Sequence, residues 1–202
     1  MIIRLCSRMN MDVCFECTMC GACCRDESLL VTVTGSDISR LSLFLGLGAG
    51  EILRALDFYV IEEGRDIPKG LKHIPRVKTE KGMAVIALKK MENGDCVFLR
   101  DNLCMIHVIR PAVCVSFPFV FNRGSEGLTW GLSARKEICP GLGQGPSVRE
   151  SDLLSTAEKV LDDLKLFKKS VDSWNDNIPA PTALAFIEYI LAHPEFGLSK
   201  DF

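Results

Sequence analysis

The sequence has no excess of charge of either sign and no long apolar run. Its formal net charge is −2, and its Lys and Arg residues are scattered instead of clustered. Because proteins that neutralise a phosphate backbone carry a basic patch, we predict no nucleic-acid partner. No stretch is long enough to span a bilayer. The apolar part of a signal peptide is interrupted by four polar residues, Arg4, Arg8, Asn10 and Asp12. These absences predict a cytoplasmic protein without a membrane partner.

The motifs of several enzyme classes are also missing. The chain contains no Cys-x-x-x-Cys-x-x-Cys run, no Gly-rich phosphate loop after a strand and no Gly-x-Ser-x-Gly elbow. No fingerprint of the nucleotide-sized pocket of a methyltransferase is visible. The sequence therefore assigns no catalytic residue and does not decide whether the chain is an enzyme.

Cysteine, in contrast, is abundant, with ten residues among 202. A chain of this length can build an apolar core without covalent staples. In a reducing compartment, clustered thiols indicate metal or redox chemistry more than disulfides. The cysteines fall in three parts of the sequence: Cys6, Cys14, Cys17, Cys20, Cys23 and Cys24, then Cys96, Cys104 and Cys114, and finally Cys139.

The first cysteine block has the spacing of a metal-binding loop. A Cys-x-x-Cys segment lets two sulfurs converge on one metal, and Gly21 leaves the backbone able to curl. The spacing of bacterial ferredoxins, with two, two and three intervening residues, is matched by Cys14, Cys17, Cys20 and Cys24, although Arg25 replaces the Pro of that motif. Adjacent side chains diverge, so the Cys23-Cys24 pair leaves open two metal centres or one polynuclear cluster.

The later cysteines are candidate distal ligands, because closing long loops costs only a few kcal/mol. Metal binding would then be coupled to folding. Two zinc ions with eight thiolates leave a net charge of about −4, whereas one four-iron cluster with four thiolates leaves about −2. We predict an iron-sulfur protein with a [4Fe-4S] cluster or more than one cluster, and zinc is the alternative.

Two cations and one histidine lie within the cysteine-bearing segments. Arg25 and Arg110 could each donate hydrogen bonds to sulfur and tune a cluster, and a surface role for Arg25 stays equally open. His107 could complete a mixed ligand set, but its apolar neighbours Ile106 and Val108 favour a packed side chain. The alternation of Phe117, Phe119 and Phe121 predicts a strand, and we expect the face that these side chains share to shield the metal from water.

Hydrophobic periodicity predicts a small single α+β domain with a cysteine-rich metal core, short strands and a helical C-terminal region. Strands are predicted over 29–34 and 83–89, with a turn and helix cap at 35–37. Helices are predicted over 38–45, 51–61, 151–174 and 183–192. Residues 1–13 form an N-terminal leader of little order that contains Cys6, residues 14–145 form the metal-binding domain, and the helices of 146–202 pack over the cysteine core as a lid.

Several linked motifs resemble the YkgJ-type cysteine-cluster family, described as a zinc- or iron-chelating domain. They are Cys17-x-x-Cys20-Gly-x-Cys23-Cys24, Cys96-x-Phe98-Leu, Cys104-x-Ile106, Arg110-Pro111-x-x-Cys114 and Phe117-Pro118, and the resemblance covers residues 15–141. It implies an eight-cysteine metal site made of Cys17, Cys20, Cys23, Cys24, Cys96, Cys104, Cys114 and Cys139. His107 stands where many relatives carry Tyr.

The functional predictions follow from this site. The leading hypothesis is electron transfer, or a structural and redox-sensing cluster within a larger pathway, with a protein redox or enzyme partner. A zinc-stabilised interaction module is the alternative. The family is also distantly similar to the cysteine-rich part of flagellin lysine methylases, which implies, as a further alternative, an accessory or enzyme of methyl transfer or protein modification.

Overall fold

The computed structural model describes residues 13–62, 64, 69–134 and 136–196. The predicted leader therefore lies outside the described residues, apart from Val13, and so does Cys6. The helices are α1 (Ala22–Arg25), α2 (Gly35–Leu45), α3 (Ala49–Ile52), α4 (Ala112–Ser116), α5 (Glu150–Asn177) and α6 (Ala183–Ala192). The strands are β1 (Cys14–Phe15), β2 (Leu56–Val60), β3 (Val77–Thr79), β4 (Gly82–Leu88), β5 (Leu99–Arg100), β6 (Leu103–Cys104), β7 (Phe119–Gly124), β8 (Gly127–Leu132) and β9 (Leu142–Ser147).

A three-stranded antiparallel sheet lies at the centre, in the order β2-β4-β3. The middle strand β4 is buried from Ala84 to Leu88, since β2 and β3 flank it and apolar elements cover it. Three two-stranded pairs surround this sheet, formed by β1 with β9, β5 with β6, and β7 with β8. The α+β prediction is confirmed.

The main core is built by α2, α5 and α6 against the central sheet. Trp174 packs edge-to-face on Phe186, with ring centroids 5.2 Å apart, and its Nε1 donates a hydrogen bond to the carbonyl of Lys78 in β3 at 3.0 Å. Phe186 also packs on Phe167, at 6.3 Å. Cys96 belongs to this core, and three half-buried cysteines, Cys24, Cys104 and Cys114, pack against it. The cysteine-rich region therefore lies at the edge of the main core.

Helix α2 begins with a reciprocal capping box. The Thr34 hydroxyl accepts from the backbone N–H of Asp37, and the Asp37 carboxylate accepts from the backbone N–H of Thr34. This arrangement satisfies two backbone donors that a helix start leaves unpaired. The predicted cap at 35–37 is therefore misplaced, because Thr34 is the cap and those three residues form the first turn.

The predicted elements agree best where the apolar pattern is long. The predictions over 83–89, 151–174 and 183–192 are confirmed as β4, α5 and α6. The predicted helix over 51–61 is wrong after residue 55. A 3₁₀ turn covers Leu53–Ala55, but the next five residues form β2 and pair with β4, because strand pairing overrides the local helix propensity. The strand over 29–34 is reduced to one bridge, between Thr32 and Ala87. None of the described helices combines the length and apolar character needed to cross a membrane.

Candidate metal centre

Five cysteines from four segments line one cavity of about 550 Å³, counting its open mouth. We call them the inner cysteines: Cys23, Cys24, Cys96, Cys104 and Cys114. The rest of the lining is apolar, from residues such as Leu30, Leu88 and Phe117, with one exception. Arg110 is the one charged side chain among the lining residues in the described ranges. The cavity thus offers thiols and one cation.

Gly21 allows the first cysteine block to turn into α1. Its φ of 71° lies in the left-handed region, which glycine adopts without steric cost. A Cβ at this position would lie 3.1 Å from Leu99 Cδ1 and 3.2 Å from the Asn102 carbonyl oxygen. The glycine therefore lets the backbone before Cys23 and Cys24 approach the β5–β6 hairpin, which itself carries Cys104.

Backbone hydrogen bonds join α1 to the segment that carries Cys96. The N–H of Cys96 donates to the carbonyl of Cys24 at 2.8 Å. The Lys90 ammonium donates to the same carbonyl and to that of Asp26, both at 3.1 Å. Two cysteines that are far apart in the sequence are thereby fixed by main-chain contacts and by one lysine.

A buried ion pair fixes the segment that leads into α4 and Cys114. Asp37 is only 1% exposed, and its Oδ1 lies 2.5 Å from Arg40 Nη2. The same oxygen accepts the backbone N–H of Ala112 at 3.0 Å, while Arg40 donates to the two carbonyls of residues 109–110 at 3.3 and 3.2 Å. Helix α2 therefore holds the backbone on one side of the cavity.

Three inner cysteines, Cys23, Cys24 and Cys104, are linked by hydrogen bonds between their thiols. Hydrogen bonding with Cys24 lowers the pKa of Cys23 to about 7 and that of Cys104 to about 6, and the positive charge of Arg110 contributes to both shifts. The same hydrogen bonds raise the pKa of Cys24. Burial raises the pKa of Cys96 and, more strongly, of Cys114. The cavity thus stabilises two thiolates near neutral pH, which is the form that binds metals.

The three remaining cysteines of the predicted ligand set, which we call the outer cysteines, are absent from the lining of this cavity. Cys17 and Cys20 are exposed. Cys139 is buried in a small apolar cluster with Ala134 and Leu142. Burial raises the pKa of Cys139, and the charges of Cys23 and Cys20 add to the shift, so both thiols lie within electrostatic range of Cys139.

Cys14, whose role the sequence leaves open, belongs to neither group. It lies in β1, where its backbone pairs with Ser147 of β9. It is also absent from the cavity lining. The ferredoxin-like register of the first block is thus divided between a strand, an exposed loop and the cavity wall.

His107 does not occupy the apolar surroundings that its neighbours predict. Val108 is 79% exposed, and the imidazole instead faces polar groups. Its Nε2 lies 4.0 Å from the sulfur of Cys17 and accepts a hydrogen bond from Arg110 Nη1 at 2.5 Å. Burial and the charge of Arg110 lower the pKa of His107, which favours the neutral ring.

Arg25 bonds to the backbone and an amide, not to sulfur. Its guanidinium donates to the carbonyl of Cys20 at 3.1 Å and contacts the side-chain oxygen of Asn102. It therefore ties the first cysteine block to the β5–β6 hairpin. Of the two predicted cations, Arg110 alone lines the cavity.

The prediction that Phe117, Phe119 and Phe121 together shield the metal is wrong, because only Phe117 of the three lines the cavity. Phe117 lines the cavity, whereas Phe119 packs edge-on against Phe15 and Trp130, with centroids 5.5 and 6.0 Å away. The C-terminal helices also differ from a lid, since none of the lining residues belongs to α5 or α6. Those helices form the main core behind the cysteines.

Sequence reasoning overlooked the residues that hold the ligand-bearing backbone: Asp37, Arg40 and Lys90. The capping box Thr34-x-x-Asp37 was visible in the sequence and would have placed Asp37 at the start of α2. No local pattern indicates that its carboxylate also accepts the N–H of Ala112, 75 residues later.

The donor set fits a metal bound by thiolates. All nine cysteines of the described chain are free thiols. No three Cys, His, Asp or Glu side chains within the described ranges already stand in the arrangement of a finished metal site. The inner cysteines nevertheless share one cavity, and three of them, Cys23, Cys24 and Cys104, exchange hydrogen bonds. Soft thiolates select iron-sulfur clusters, zinc and copper(I) over hard cations.

Comparisons with known proteins agree with this assignment. A search of the curated proteins and a search of the solved structures each found no match. A protein-family model, CxxCxxCC, described as "Putative zinc- or iron-chelating domain", matches residues 16–140. The match covers most of the chain and confirms the resemblance drawn from the cysteine motifs. The chain therefore belongs to the CxxCxxCC family of zinc- or iron-chelating domains.

Proposed function

We propose that the chain holds an iron-sulfur cluster on its inner cysteines. The observation that carries this proposal is the lining of the cavity, which presents five thiols and, among its described residues, no carboxylate or imidazole. Iron-sulfur clusters are held by cysteine thiolates, four in the common cases. The cavity therefore offers a complete thiolate set with one sulfur in excess.

The charge of the cavity favours a cluster over separate ions. A single tetrahedral zinc ion takes four ligands, which would leave a fifth thiol among the apolar lining residues. A [4Fe-4S] cluster with four thiolates carries a net charge of about −2, and burying charge in an apolar site is costly unless it is offset. Arg110, in the lining of the cavity, supplies the offsetting positive charge.

The role that we propose for this cluster is electron transfer, or a structural and redox-sensing centre, for a protein redox or enzyme partner. A bound cluster would supply one-electron chemistry, and this chain would supply the thiolates and the positive field of Arg110. The free thiols of the described chain suit a reducing compartment, so we propose a cytoplasmic location.

The decisive experiment is purification without oxygen, followed by reconstitution with iron and sulfide and by element analysis. We expect bound iron and inorganic sulfide, with a visible charge-transfer absorption. The proposal fails if reconstituted protein contains neither iron nor that absorption. Cys14→Ser is the matched control, since Cys14 lies in β1 away from the cavity lining, and it should retain the cluster.

Zinc is the second candidate, and one observation favours it. The contact of Cys17 with His107 offers a mixed sulfur and nitrogen pair, and zinc sites commonly combine these donors. A zinc-stabilised interaction module would be colourless, would contain stoichiometric zinc after purification and would resist oxidation by air. Element analysis of the same oxygen-free preparation separates the two candidates.

A further inference from the structure

We propose that His107 is a metal ligand, and that its Nε2 binds the metal beside the sulfur of Cys17 at the outer edge of the centre. This inference rests on the proposed metal-binding function, and it adds a nitrogen donor that the cysteine motifs do not contain. The two residues are 90 positions apart in the sequence, so the fold alone brings them together.

The separation of the two atoms suits a shared ion. With a metal–sulfur distance of about 2.3 Å, a metal–nitrogen distance of about 2.0–2.1 Å and a tetrahedral angle, the ligand atoms stand about 3.6 Å apart. Cys17 Sγ and His107 Nε2 are 4.0 Å apart. A small rotation of the exposed Cys17 side chain would therefore bring both atoms to ligand spacing.

The nitrogen that faces Cys17 carries the lone pair. Arg110 Nη1 approaches His107 Nε2 at 2.5 Å. A guanidinium has only N–H donors, so Nε2 is the acceptor and the neutral ring holds its proton on Nδ1. This tautomer is the one that binds a metal through Nε2.

The Arg110 guanidinium donates a hydrogen bond to this lone pair. It therefore lies where a metal bound to Nε2 would lie. Its charge also acts on the thiols of Cys23 and Cys104. A metal that binds Nε2 must displace the guanidinium, which stays within reach of the inner thiolates. Arg40 donates hydrogen bonds to the carbonyls of residues 109 and 110, which fixes the backbone from which the Arg110 side chain would rotate.

The competing interpretation is that His107 only anchors Arg110 and never contacts the metal. The two interpretations differ in the loaded protein, because only a ligand places imidazole atoms around the metal. His107→Gln is the informative variant, since its amide oxygen can still accept from Arg110. His107→Ala removes both functions, and His73→Ala, at an exposed turn residue, is the matched control.

The experiment loads wild type and the three variants without oxygen, in parallel, with ferrous iron plus sulfide and with Co²⁺, and records X-ray absorption at the metal edge. We expect the outer-shell scattering of an imidazole in wild type and His73→Ala. It should be lost in both His107 variants, together with a drop in metal affinity of about tenfold or more.

The outcomes separate this inference from the proposed function. Metal bound in wild type without imidazole scattering, or scattering that persists in the His107 variants, overturns the inference alone. Failure of wild type to bind either probe overturns metal binding itself, and the inference with it. If His107→Ala does not fold, His107→Gln decides.

Discussion

The inner and outer cysteines of the first block differ in surroundings although they come from the same motif. Cys17 and Cys20 lie in an exposed loop, whereas Cys23 and Cys24, three and four residues after Cys20, line an apolar cavity. The change occurs at Gly21, where the chain turns into α1 against the β5–β6 hairpin. Equal spacing in the sequence thus does not mean an equal environment.

The largest expected effect is on metal content. Cys114→Ser should abolish iron binding, because it removes a thiol from the lining of the cavity. Cys20→Ser should lose metal only in part, because its thiol lies outside the cavity. Iron and sulfide analysis after reconstitution measures both. Full iron in both variants would show that the predicted ligand set is wrong, whereas full iron in Cys14→Ser is expected.

The buried ion pair behind Cys114 should contribute more to stability than an exposed one. Asp37→Asn removes the buried negative charge that lies 2.5 Å from Arg40, and breaking a buried pair costs about 3–5 kcal/mol. Asp162→Asn removes the exposed contact with Arg123 and should cost about 0–1 kcal/mol. Denaturant unfolding of the metal-free proteins measures the free energy of unfolding. Equal losses of unfolding free energy in the two variants would contradict a role of Asp37 and Arg40 in holding the backbone of residues 109–112.

Two glycine substitutions separate backbone strain from crowding. Gly21 and Gly46 have φ values of 71° and 65°, but a Cβ would meet close atoms only at Gly21. Alanine at Gly46 should cost about 1–2 kcal/mol for the left-handed backbone alone. Gly21→Ala should cost more and should also weaken metal binding, because the first cysteine block must shift from the hairpin.

The result to check is the difference between these variants in unfolding free energy and in iron content. If Gly21→Ala matches Gly46→Ala in both measurements, the close approach of the first cysteine block to the β5–β6 hairpin does not matter for the site.

The smallest effect concerns thiol reactivity in the metal-free protein. Cys23 and Cys104 have pKa values of about 7 and about 6, below the ordinary 9.0, so they are largely thiolates at pH 8. Iodoacetamide should modify them before Cys96 and Cys114, whose pKa values are raised by burial. The rate should fall as the pH drops from 8 through about 7 and 6, because the thiolates become protonated.

Mass spectrometry of peptides after timed labelling identifies the modified thiols, and bound metal should protect them. Preferential modification of Cys96 or Cys114 would contradict the hydrogen-bonded arrangement around Cys24.

The sequence alone determined the chemistry of this protein and its most regular elements. Clustered cysteines at metal-binding spacing indicated thiolate coordination, and apolar periodicity predicted α5, α6 and β4, because burial periodicity is a local property of the chain. The cysteine motifs also led to the correct family. Short segments failed, as in residues 51–61, where pairing with β4 rather than local propensity decided the structure.

Only the tertiary structure decided which thiols meet and what surrounds them. The division into inner and outer cysteines, the contact of His107 with Cys17, and the hydrogen bonds of Asp37 and Arg40 to the backbone of residues 109–112 all join residues from separate segments. Long-range contacts of this kind depend on how the elements pack and leave no periodic trace in the sequence. The residue types therefore fixed what this site can bind, and the packing fixed where each donor stands.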